Sequence, residues 1–426
     1  MTTYFLRRLL LVIPTFIGST ILVFTILQLA PGGPLEKIIQ ELKTGGQMGG
    51  EAGISSISIS GGTILPESAM RELKRYYGFD KPGWQRYLIW LGVWPREIKH
   101  RNFTLKPDMT HLEKRVGKQS GQIWKVDIKL EGNKYLVYEK DGTLSTIWKT
   151  DIEKINDDGS KEGVVYQREF SGILTGNLGK SYTYAKPVTE VMKPRFKISL
   201  LFGLIGYFLT YIVCIPLGIS KALKHGSGFD FVSSVLIFIA YSIPGWALGG
   251  VLLVLLGGGS FWDIFPLGGF HSPAEIWEKM TIIEKIIDQA HHAILPIFAW
   301  SITTFATMTI LMKNSLLENL SQDYIRTAFA KGIAEKRVVW LHAFRNSLIP
   351  IAAQIGYVIA AIIANSYLIE RVFNINGFGK MSFQAIMDRD YPIIMGFLIV
   401  VVLIRLIANI ISDFAIASVD PRIRFK

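Results

Sequence analysis

The stretch GILTGNLGKSYT, residues 172–183, ends in the Gly-Lys-Ser with which nucleotide-binding phosphate loops close. Such loops need a further glycine five positions before the second one, so that backbone N–H groups can surround the phosphate. Leu174 occupies that position relative to Gly179. The sequence therefore predicts a turn at these residues and no nucleotide site.

Two adjacent histidines, His291 and His292, and a single cysteine, Cys214, are the residue types that could form a metal or sulfur-based site. Adjacent residues on a helix point in different directions, and no nearby carboxylate spacing completes a site, so we expect interfacial positions for the histidines. One cysteine excludes an intrachain disulfide and a cysteine-based zinc or iron–sulfur framework. The sequence predicts no metal site, and it predicts that Cys214 is a small buried side chain.

The segment SQDYIRTAFAKGIAEKRVVWLHAFRNSLIP, residues 321–350, has helix-forming stretches on both sides of one glycine. A short helix is predicted over Tyr324–Lys331 and a second over Glu335–Asn346, ending before Pro350. Gly332 lies between them and permits a sharp turn. We therefore expect a protruding pair of helices, which we call the elbow (residues 324–345).

The elbow mixes apolar and basic side chains. Ser321 or Asp323 is expected to begin its first helix. Its composition fits a helix that docks into a groove on another protein, and the alternative is an amphipathic helix lying on the lipid surface. The apolar residues are Ile333, Val338, Val339, Trp340 and Phe344, and the basic ones are Lys331, Lys336, Arg337 and Arg345.

The composition of the whole chain indicates what must position these residues. Of 426 residues, 50% are hydrophobic and 19% are charged, which is less polar than most soluble domains. The net charge is +12, but the basic residues neither form one tract nor alternate with stacking aromatic residues, so nucleic-acid binding is not indicated. A membrane protein is the predicted class.

Apolar runs of about 20 residues can cross a hydrocarbon core of about 30 Å as helices. Each run here is continuously apolar, whereas the strands of a membrane barrel alternate over about 10 residues. The sequence therefore predicts an all-α polytopic membrane protein with six transmembrane helices. The six runs are Leu9–Ala30, Ile198–Leu217, Phe231–Leu256, Ala293–Met312, Leu348–Leu368 and Pro392–Ile416.

Lysine and arginine in short loops indicate the orientation, because positively charged loops stay in the cytoplasm. One set of segments carries thirteen of these residues and the opposite set carries five. Both termini are therefore predicted to be cytoplasmic, with an uncleaved first helix, and the Gly-Lys-Ser turn faces the side without ATP. The larger set is Arg7, Arg8, Lys221, Lys224, Lys313, Arg326, Lys331, Lys336, Arg337, Arg345, Arg422, Arg424 and Lys426; the smaller is Lys279, Lys285, Arg371, Lys380 and Arg389.

Three parts of the chain follow from this topology. They are the N-terminus with the first helix (1–30), an extracytoplasmic loop (31–196), and a five-helix core (197–426) with a cytoplasmic loop at 313–347.

The outer loop contains a strand pattern. Residues 122–150 alternate apolar and polar side chains, with turn signals at 131–133 and 141–142, which predicts a β-meander of three or more strands. We therefore expect a small β-rich extracytoplasmic module over about 95–170. Residues 44–62 are rich in Gly and Ser and are predicted to form a flexible loop.

The elbow carries a family resemblance. RTAFAKGIAEKRVVWLHAFRNSLIP, residues 326–350, is similar to the coupling-loop signature of the dipeptide/oligopeptide branch of ATP-binding-cassette importer permeases. That signature reads Glu-Ala-Ala, three residues, Gly. Here Arg326, Thr327 and Ala328 precede Gly332, so the glutamate is absent and only the second alanine is kept.

Other segments resemble the same branch over roughly 340 residues in all. The resemblance breaks between Trp94 and Gly172, so the β-rich module is expected to be an insertion. The Ala30–Pro34 run and the C-terminal DPRI resemble the subgroup that serves microcin-C-type peptide import. Further matching segments are FLRRLLLVIPTF at the N-terminus, RYYGFDKPGWQRYLIWL (75–91), GNLGKSYTYAKPVTEVM (176–192) and ERVFNINGFGKMSFQAIMDRDYP (370–392).

The resemblance implies the fold of a type I importer permease and a role without bond chemistry. The elbow would be a coupling helix held by one of two ATPase domains, which bind the ATP and magnesium. The passage would lie between this chain and a second permease in the bacterial inner membrane, and a binding protein outside would deliver peptides. The implied ATPase-coupling residues are Arg326, Thr327, Ala328, Ala330, Lys331, Gly332, Glu335, Lys336 and Arg337.

Polar residues within or beside the spans are candidates for lining the passage. Most such residues form helix–helix hydrogen bonds, and Arg405 is expected to face protein or water because a charge in lipid is costly. Arg389 and Asp390 are candidates for a substrate contact, although a local ion pair is favoured, and Gly377 and Gly379 suit a tight turn nearby. The remaining candidates are Gln354, Asn365, Asn409, Ser301, Thr303 and Thr307.

Three alternatives remain at this point. A permease for nickel or another small solute in the same branch would have a very similar sequence. A membrane receptor would normally carry a cytoplasmic enzymatic or dimerisation domain, whereas no cytoplasmic segment here exceeds about 35 residues. An ion-driven carrier predicts internal repeats and paired buried carboxylates, and neither is evident.

Overall fold

A computed structural model describes residues 2–30, 32–33, 36–37, 67–107, 109–119, 122–131, 134–259, 261–364 and 366–419. The predicted Gly/Ser-rich loop (44–62), the DPRI segment and Asn365 lie outside this described part. The chain forms two compact units. We call residues 1–61 with 180–426 the helical unit, and residues 62–179 the sheet unit. The topological boundaries at 31 and 196 stay predictions.

The helices are numbered in chain order. In the helical unit they are α1 (Thr2–Leu29), α4 (Val188–Leu223), α5 (Gly228–Ser242), α6 (Gly245–Leu256), α7 (Ala274–Trp277), α8 (Ile282–Leu320), α9 (Asp323–Ala330), α10 (Glu335–Arg337), α11 (Phe344–Ala364), α12 (Tyr367–Val372), α13 (Phe378–Asp388) and α14 (Tyr391–Val419). The sheet unit contains α2 (Glu67–Tyr76), α3 (Gly83–Leu91) and a short 3-10 turn at Ile173–Thr175.

The sheet unit has six described strands in two antiparallel sheets. One sheet has the order β1-β6-β5 and the other β2-β3-β4. Strand bounds are β1 (Arg96–Leu105), β2 (His111–Gln119), β3 (Gln122–Glu131), β4 (Lys134–Tyr138), β5 (Trp148–Ile155) and β6 (Lys161–Glu169). Alternate residues of both sheets share one apolar core, which includes Phe103, Val126, Ile128, Trp148 and Val165.

The predicted three-stranded meander over 122–150 is wrong, because its strands belong to different sheets. β3 pairs with β4, whereas β5 pairs with β6. The Ser145 hydroxyl explains the change of direction: it donates to Glu139 and accepts hydrogen bonds from the backbone N–H groups of Ile147 and Trp148. This turn leads the chain away from β4 and places the Trp148 side chain in the core.

Helix pairs pack closely in the helical unit. α4 lies along α8, and α11 lies along α14. At Gly218 an added Cβ would lie 2.7 Å from Met312, and at Gly356 it would lie 2.5 Å from the Ala408 carbonyl oxygen. Both glycines are therefore required for close contact, as is common where helices pack within a membrane.

The described helices agree with a polytopic membrane protein but give fewer candidate spans than the six predicted. Leu10–Leu29, Val188–Leu223 and Tyr391–Val419 are long and apolar enough to cross a bilayer, and two bent helix pairs raise the count to five at most among described residues. The run Leu348–Leu368 falls mainly on α11, which is neither one of these three candidate spans nor part of a bent pair. A sixth span therefore stays a prediction.

The prediction of one continuous helix over Phe231–Leu256 is wrong. α5 and α6 meet at 93°, and Ile243 between them has extended backbone angles. The cause is Pro244, since a proline disfavours the helical conformation of the residue before it. The other bent pair, Ile282–Ile302 with Thr304–Leu320, meets at 50°.

Candidate functional site

The first half of the elbow is α9, followed by a turn at Gly332. Gln322, rather than Ser321 or Asp323, occupies the N-cap position, and no side chain caps the helix there. Gly332 has φ +74°, and its N–H donates to the Phe329 carbonyl over 2.9 Å. This left-handed conformation favours glycine and reverses the chain at the predicted position.

The second half of the elbow does not end before Pro350 as predicted. α10 continues through a π-helical stretch, Val338–Ala343, into α11, and Pro350 lies inside that helix. Proline is tolerated inside membrane helices because neighbouring groups can satisfy the freed carbonyl. The elbow and the following apolar helix are therefore one continuous element.

An apolar seat fixes the elbow to the ends of two long helices. Residues of α9 and of the π-helical stretch join α4 and α8 residues in a single buried cluster. The hydroxyls of Ser315 and Ser347 each donate to the other residue's carbonyl, over 3.0 and 3.3 Å, which links α8 to α11. The seat consists of Ile219, Ala222, Met312, Leu316, Ile325, Ala328, Val338, Ala343 and Ile351.

The opposite face of the elbow is open. Its large apolar side chains Tyr324, Phe329, Trp340 and Leu341 are between 41% and 59% exposed. The predicted docking face is partly wrong, because Val338, like its neighbour Val339, is buried toward the protein. The exposed face of the elbow is therefore formed by Tyr324, Phe329, Trp340 and Leu341 with the surrounding cations.

The predicted coupling residues divide between these two faces. Ala328 is buried in the seat. All the others are exposed: Arg326, Thr327, Ala330, Lys331, Gly332, Glu335, Lys336 and Arg337.

A buried charge cluster lies beside the seat, and sequence analysis missed it. Both oxygens of the Asp230 carboxylate accept a hydrogen bond from the Lys313 ammonium, each over 2.8 Å. The Lys221 ammonium lies 3.1 Å from the same carboxylate. His225 and the Gly226 N–H also contact this carboxylate. Lys221 is only 1% exposed. The cluster joins α4, α5 and α8. Its net charge is positive, because the two lysines outnumber the single carboxylate.

The pathway candidates do not form one described cluster. Ser301 is buried and donates to the Gly206 carbonyl, and the Thr307 hydroxyl donates to the Thr304 carbonyl on its own helix. Gln354 is half-buried, whereas Arg405 and Asn409 on α14 are exposed. Asn365 and the Thr303 side chain lie outside the described part. Lining of a passage by these residues stays a prediction.

Asp390, another pathway candidate, has a different environment. It is fully buried, and its carboxylate accepts hydrogen bonds from the Ser181 hydroxyl (2.5 Å) and from the Thr183 and Ile393 N–H groups. Ser181 is the serine of the Gly-Lys-Ser stretch. The predicted substrate contact of Arg389 and Asp390, and the favoured ion pair between them, stay untested, but Asp390 joins two chain segments.

Groups that could bind a metal do not assemble in the described residues: no three His, Cys, Asp or Glu side chains lie together there in a suitable arrangement. His291 bonds the Ile264 carbonyl, and His292 bonds the Asp288 carbonyl. The prediction of a buried Cys214 is confirmed.

Comparison with known proteins gives a consistent family. Residues 214–425 match the family described as "binding-protein-dependent transport system inner membrane component". The chain is 32% identical to the peptidoglycan transport system permease protein YejB of Agrobacterium fabrum, over all of this chain and 99% of the relative. It is 28% identical to the dipeptide transport system permease protein DppB of Escherichia coli, with full coverage of both. The oligopeptide transport system permease protein AppB of Bacillus subtilis is 33% identical over 62% of this chain and 80% of that relative.

Proposed function

The chain belongs to the family of binding-protein-dependent transport system inner membrane components, and from this premise we propose that its elbow, residues 324–345, couples it to ATPase subunits of a peptide importer. Members of this family are translocation subunits rather than enzymes, and this chain is a multi-pass inner membrane protein. The family resemblance of the elbow and its geometry both support this assignment.

The two-faced geometry of the elbow is the observation that carries the proposal. A segment that transmits force needs one face fixed to its own protein and another free for a partner. The seat provides the fixed face through buried residues of α4 and α8. The exposed face presents Trp340 and Leu341 beside Lys336 and Arg337, and such aromatic and arginine side chains often dominate binding energy at protein interfaces.

The proposed mechanism has the ATPase subunits as its energy source. Closure of two ATPase domains around ATP and magnesium brings two elbows together and opens the pair of permeases outward, and hydrolysis resets them. Such a shift requires that the ATPase contact the elbow differently in the two states, because equal binding to both states moves no equilibrium. A second homologous permease completes the passage, and an extracytoplasmic binding protein delivers the substrate.

Peptides are the proposed substrate class. The relatives are named for the transport of dipeptides, oligopeptides and peptidoglycan. The narrower assignment to microcin-C-type peptides is supported by the Ala30–Pro34 and DPRI resemblance. We also propose that both termini are cytoplasmic and that the sheet unit lies outside the cell membrane, as the distribution of Lys and Arg indicates.

Replacing Trp340 tests the docking face. Trp340→Ala removes an exposed ring that packs edge-on against the Phe344 ring, with the two ring centres 5.2 Å apart. We expect the amount of ATPase recovered with the tagged chain to fall about tenfold. Trp262→Ala is the matched control, because Trp262 is an exposed tryptophan in the loop after α6. Equal ATPase recovery with both variants, or labelling of Lys336→Cys from outside the cell, would contradict the proposal.

Replacing Gly332 tests the turn itself. Gly332→Val forces a β-branched residue into a left-handed conformation at a strain of about 1–3 kcal/mol, so uptake should fall while the subunit stays inserted. Gly142→Val is the control, since Gly142 has φ +81° and, like Gly332, has open space where a Cβ would lie. Uptake that is equal in the two variants, at matched expression, would count against the elbow.

A further inference from the structure

Residues 367–390, which we call the cap segment, contain α12 and α13 and have a buried carboxylate near each end. Glu370 is 4% exposed and Asp390 is fully buried. A buried carboxylate is costly unless hydrogen-bond donors surround it. In both cases one donor is a serine hydroxyl from residues 181–199, the stretch that leads into and begins α4.

Glu370 joins three elements at one point. The Ser199 hydroxyl of α4 donates to one carboxylate oxygen over 2.5 Å, and the Lys380 N–H of α13 donates to the other over 2.6 Å. The Ser199 oxygen in turn accepts from the Phe378 N–H over 2.7 Å. Gly377 allows this approach, because a Cβ there would lie 2.3 Å from the Glu370 carboxyl carbon. Gly377 is thus needed for close contact, and its backbone is extended (φ −94°, ψ −173°).

Asp390 makes the second junction. Its carboxylate receives the Ser181 hydroxyl and the Thr183 N–H, while the Ser181 oxygen accepts from the Tyr184 N–H over 2.9 Å. The Gly-Lys-Ser stretch thus has a structural use: its serine holds the far end of the cap segment.

A third contact lies between the two junctions. The Arg195 side chain of α4 donates to the Asn376 side chain over 3.3 Å, and its guanidinium lies 4.9 Å from the centre of the Tyr184 ring. The cap segment is therefore attached to residues 181–199 at both ends and in the middle.

The helix that receives these contacts also reaches the elbow. α4 is continuous from Val188 to Leu223, and its Ile219 and Ala222 belong to the apolar seat. Ser199 and Ile219 are separated by about 30 Å along this helix at 1.5 Å per residue. One element thus contacts the cap segment at one end and the elbow at the other.

We propose that the Ser181–Asp390 and Ser199–Glu370 contacts are latches that make the cap segment move with α4, so that displacement of the elbow is passed to it. Glu370 and Asp390 are positioning residues in this scheme. The inference rests on the proposed coupling function of the elbow, because the elbow supplies the displacement.

Distance measurements in the assembled transporter test the latches. Spin labels are attached to Lys193→Cys on α4 and Met387→Cys on α13, which are both exposed positions. The full chain also carries Cys214→Ala, so that only the two introduced cysteines are labelled. It is purified together with its ATPase partners. We expect the same distance distribution without nucleotide and with trapped ATP. In the latch variant Ser181→Ala/Ser199→Ala, the distribution should shift or broaden between the two states.

The control variant is Ser220→Ala/Ser418→Ala, in which each lost hydroxyl had donated to a carbonyl one turn earlier on its own helix. It should behave as the parent does. Transported peptide per ATP hydrolysed, measured with radiolabelled trialanine, should fall about tenfold in the latch variant and stay constant in the control. Unfolding temperature and ATPase recovery are recorded on the same samples.

A latch variant with the parent's distance distributions in both states overturns the inference. So does a parent whose label distance changes with trapped ATP. Absence of any ATPase in the parent preparation would instead refute the proposed function, so the two failures are distinguishable.

Discussion

The two units of the chain hold their charged side chains in different ways. In the helical unit the residues Asp230, Glu370 and Asp390 are at most 5% exposed, and each carboxylate is surrounded by donors from other elements. In the sheet unit the side chains of the ion pairs Arg71–Glu162 and Lys81–Glu97 are between 16% and 37% exposed, so both pairs retain contact with solvent.

This difference indicates where charge determines structure. A charge removed from water is costly, and the loss of one partner leaves the other uncompensated. A pair at the surface gains little, because water and salt screen it. We therefore expect the helical unit to depend on its buried carboxylates, whereas the sheet unit depends on apolar packing around Trp148.

The largest effect is expected for Asp230→Asn. It leaves Lys221 and Lys313 facing each other without a counter-charge, and such losses cost about 3–5 kcal/mol. The unfolding temperature of the detergent-purified chain should fall clearly, and the second change Lys313→Met should restore part of it. Asp263→Asn in an exposed loop is the control. Equal unfolding temperatures for the two single variants would remove the contrast between the units.

A smaller effect is expected from acid in the sheet unit. Burial alone raises the pKa of the Glu97 carboxyl, but the His100 ring 4.0 Å away and the Lys81 ammonium 2.6 Å away favour the charged form and lower the pKa to about 2 from an ordinary 4.5. Because the folded-state pKa is the lower one, this stabilisation is complete above about pH 5 and is lost as the pH falls from 4.5 toward 2.

Because the Lys81–Glu97 pair retains contact with solvent, screening limits the loss at Glu97 to about 1 kcal/mol. Hydrogen exchange of β1 and β6 amides in the full chain, corrected for intrinsic rates, should therefore accelerate between pH 5 and pH 3. Glu97→Gln should remove that part of the pH dependence, and an unchanged dependence in this variant would show that Glu97 is not its source.

The smallest effect is expected for Arg71→Ala. Arg71 and Glu162 are about one-third exposed, so the pair contributes about 0–1 kcal/mol, and less at high salt. Trp148→Ala in the same unit should cost about 3–5 kcal/mol, because it empties the core. Protection of the sheet amides from exchange should therefore separate the two variants, and a large loss with Arg71→Ala would contradict the comparison.

Local patterns in the sequence predicted part of the helical architecture. The elbow, its glycine turn and the apolar runs follow from spacing and composition, which act over a few residues. The break at Pro244 was missed because hydropathy alone does not register the constraint that a proline places on the preceding residue. Conversely, Pro350 was expected to end a helix, whereas the structure continues through it.

The buried junctions could not be found in the same way. Glu370 and Ser199 are 171 positions apart, and Asp390 and Ser181 are 209 apart. Each residue alone is an ordinary polar residue near an apolar run, and only the folded chain shows which pairs meet. The strand assignment failed similarly, because alternation predicts β5 but not its pairing with β6.

The right-angled corner between α5 and α6 has a consequence for the surroundings of the protein. Backbone groups released by such a corner cannot be left in hydrocarbon, where nothing can hydrogen-bond to them. We therefore expect the strip around Ile243 and Pro244 to face water or polypeptide rather than acyl chains. Acyl chains are then expected to contact α5 and α6 on either side of this corner but not at the corner itself.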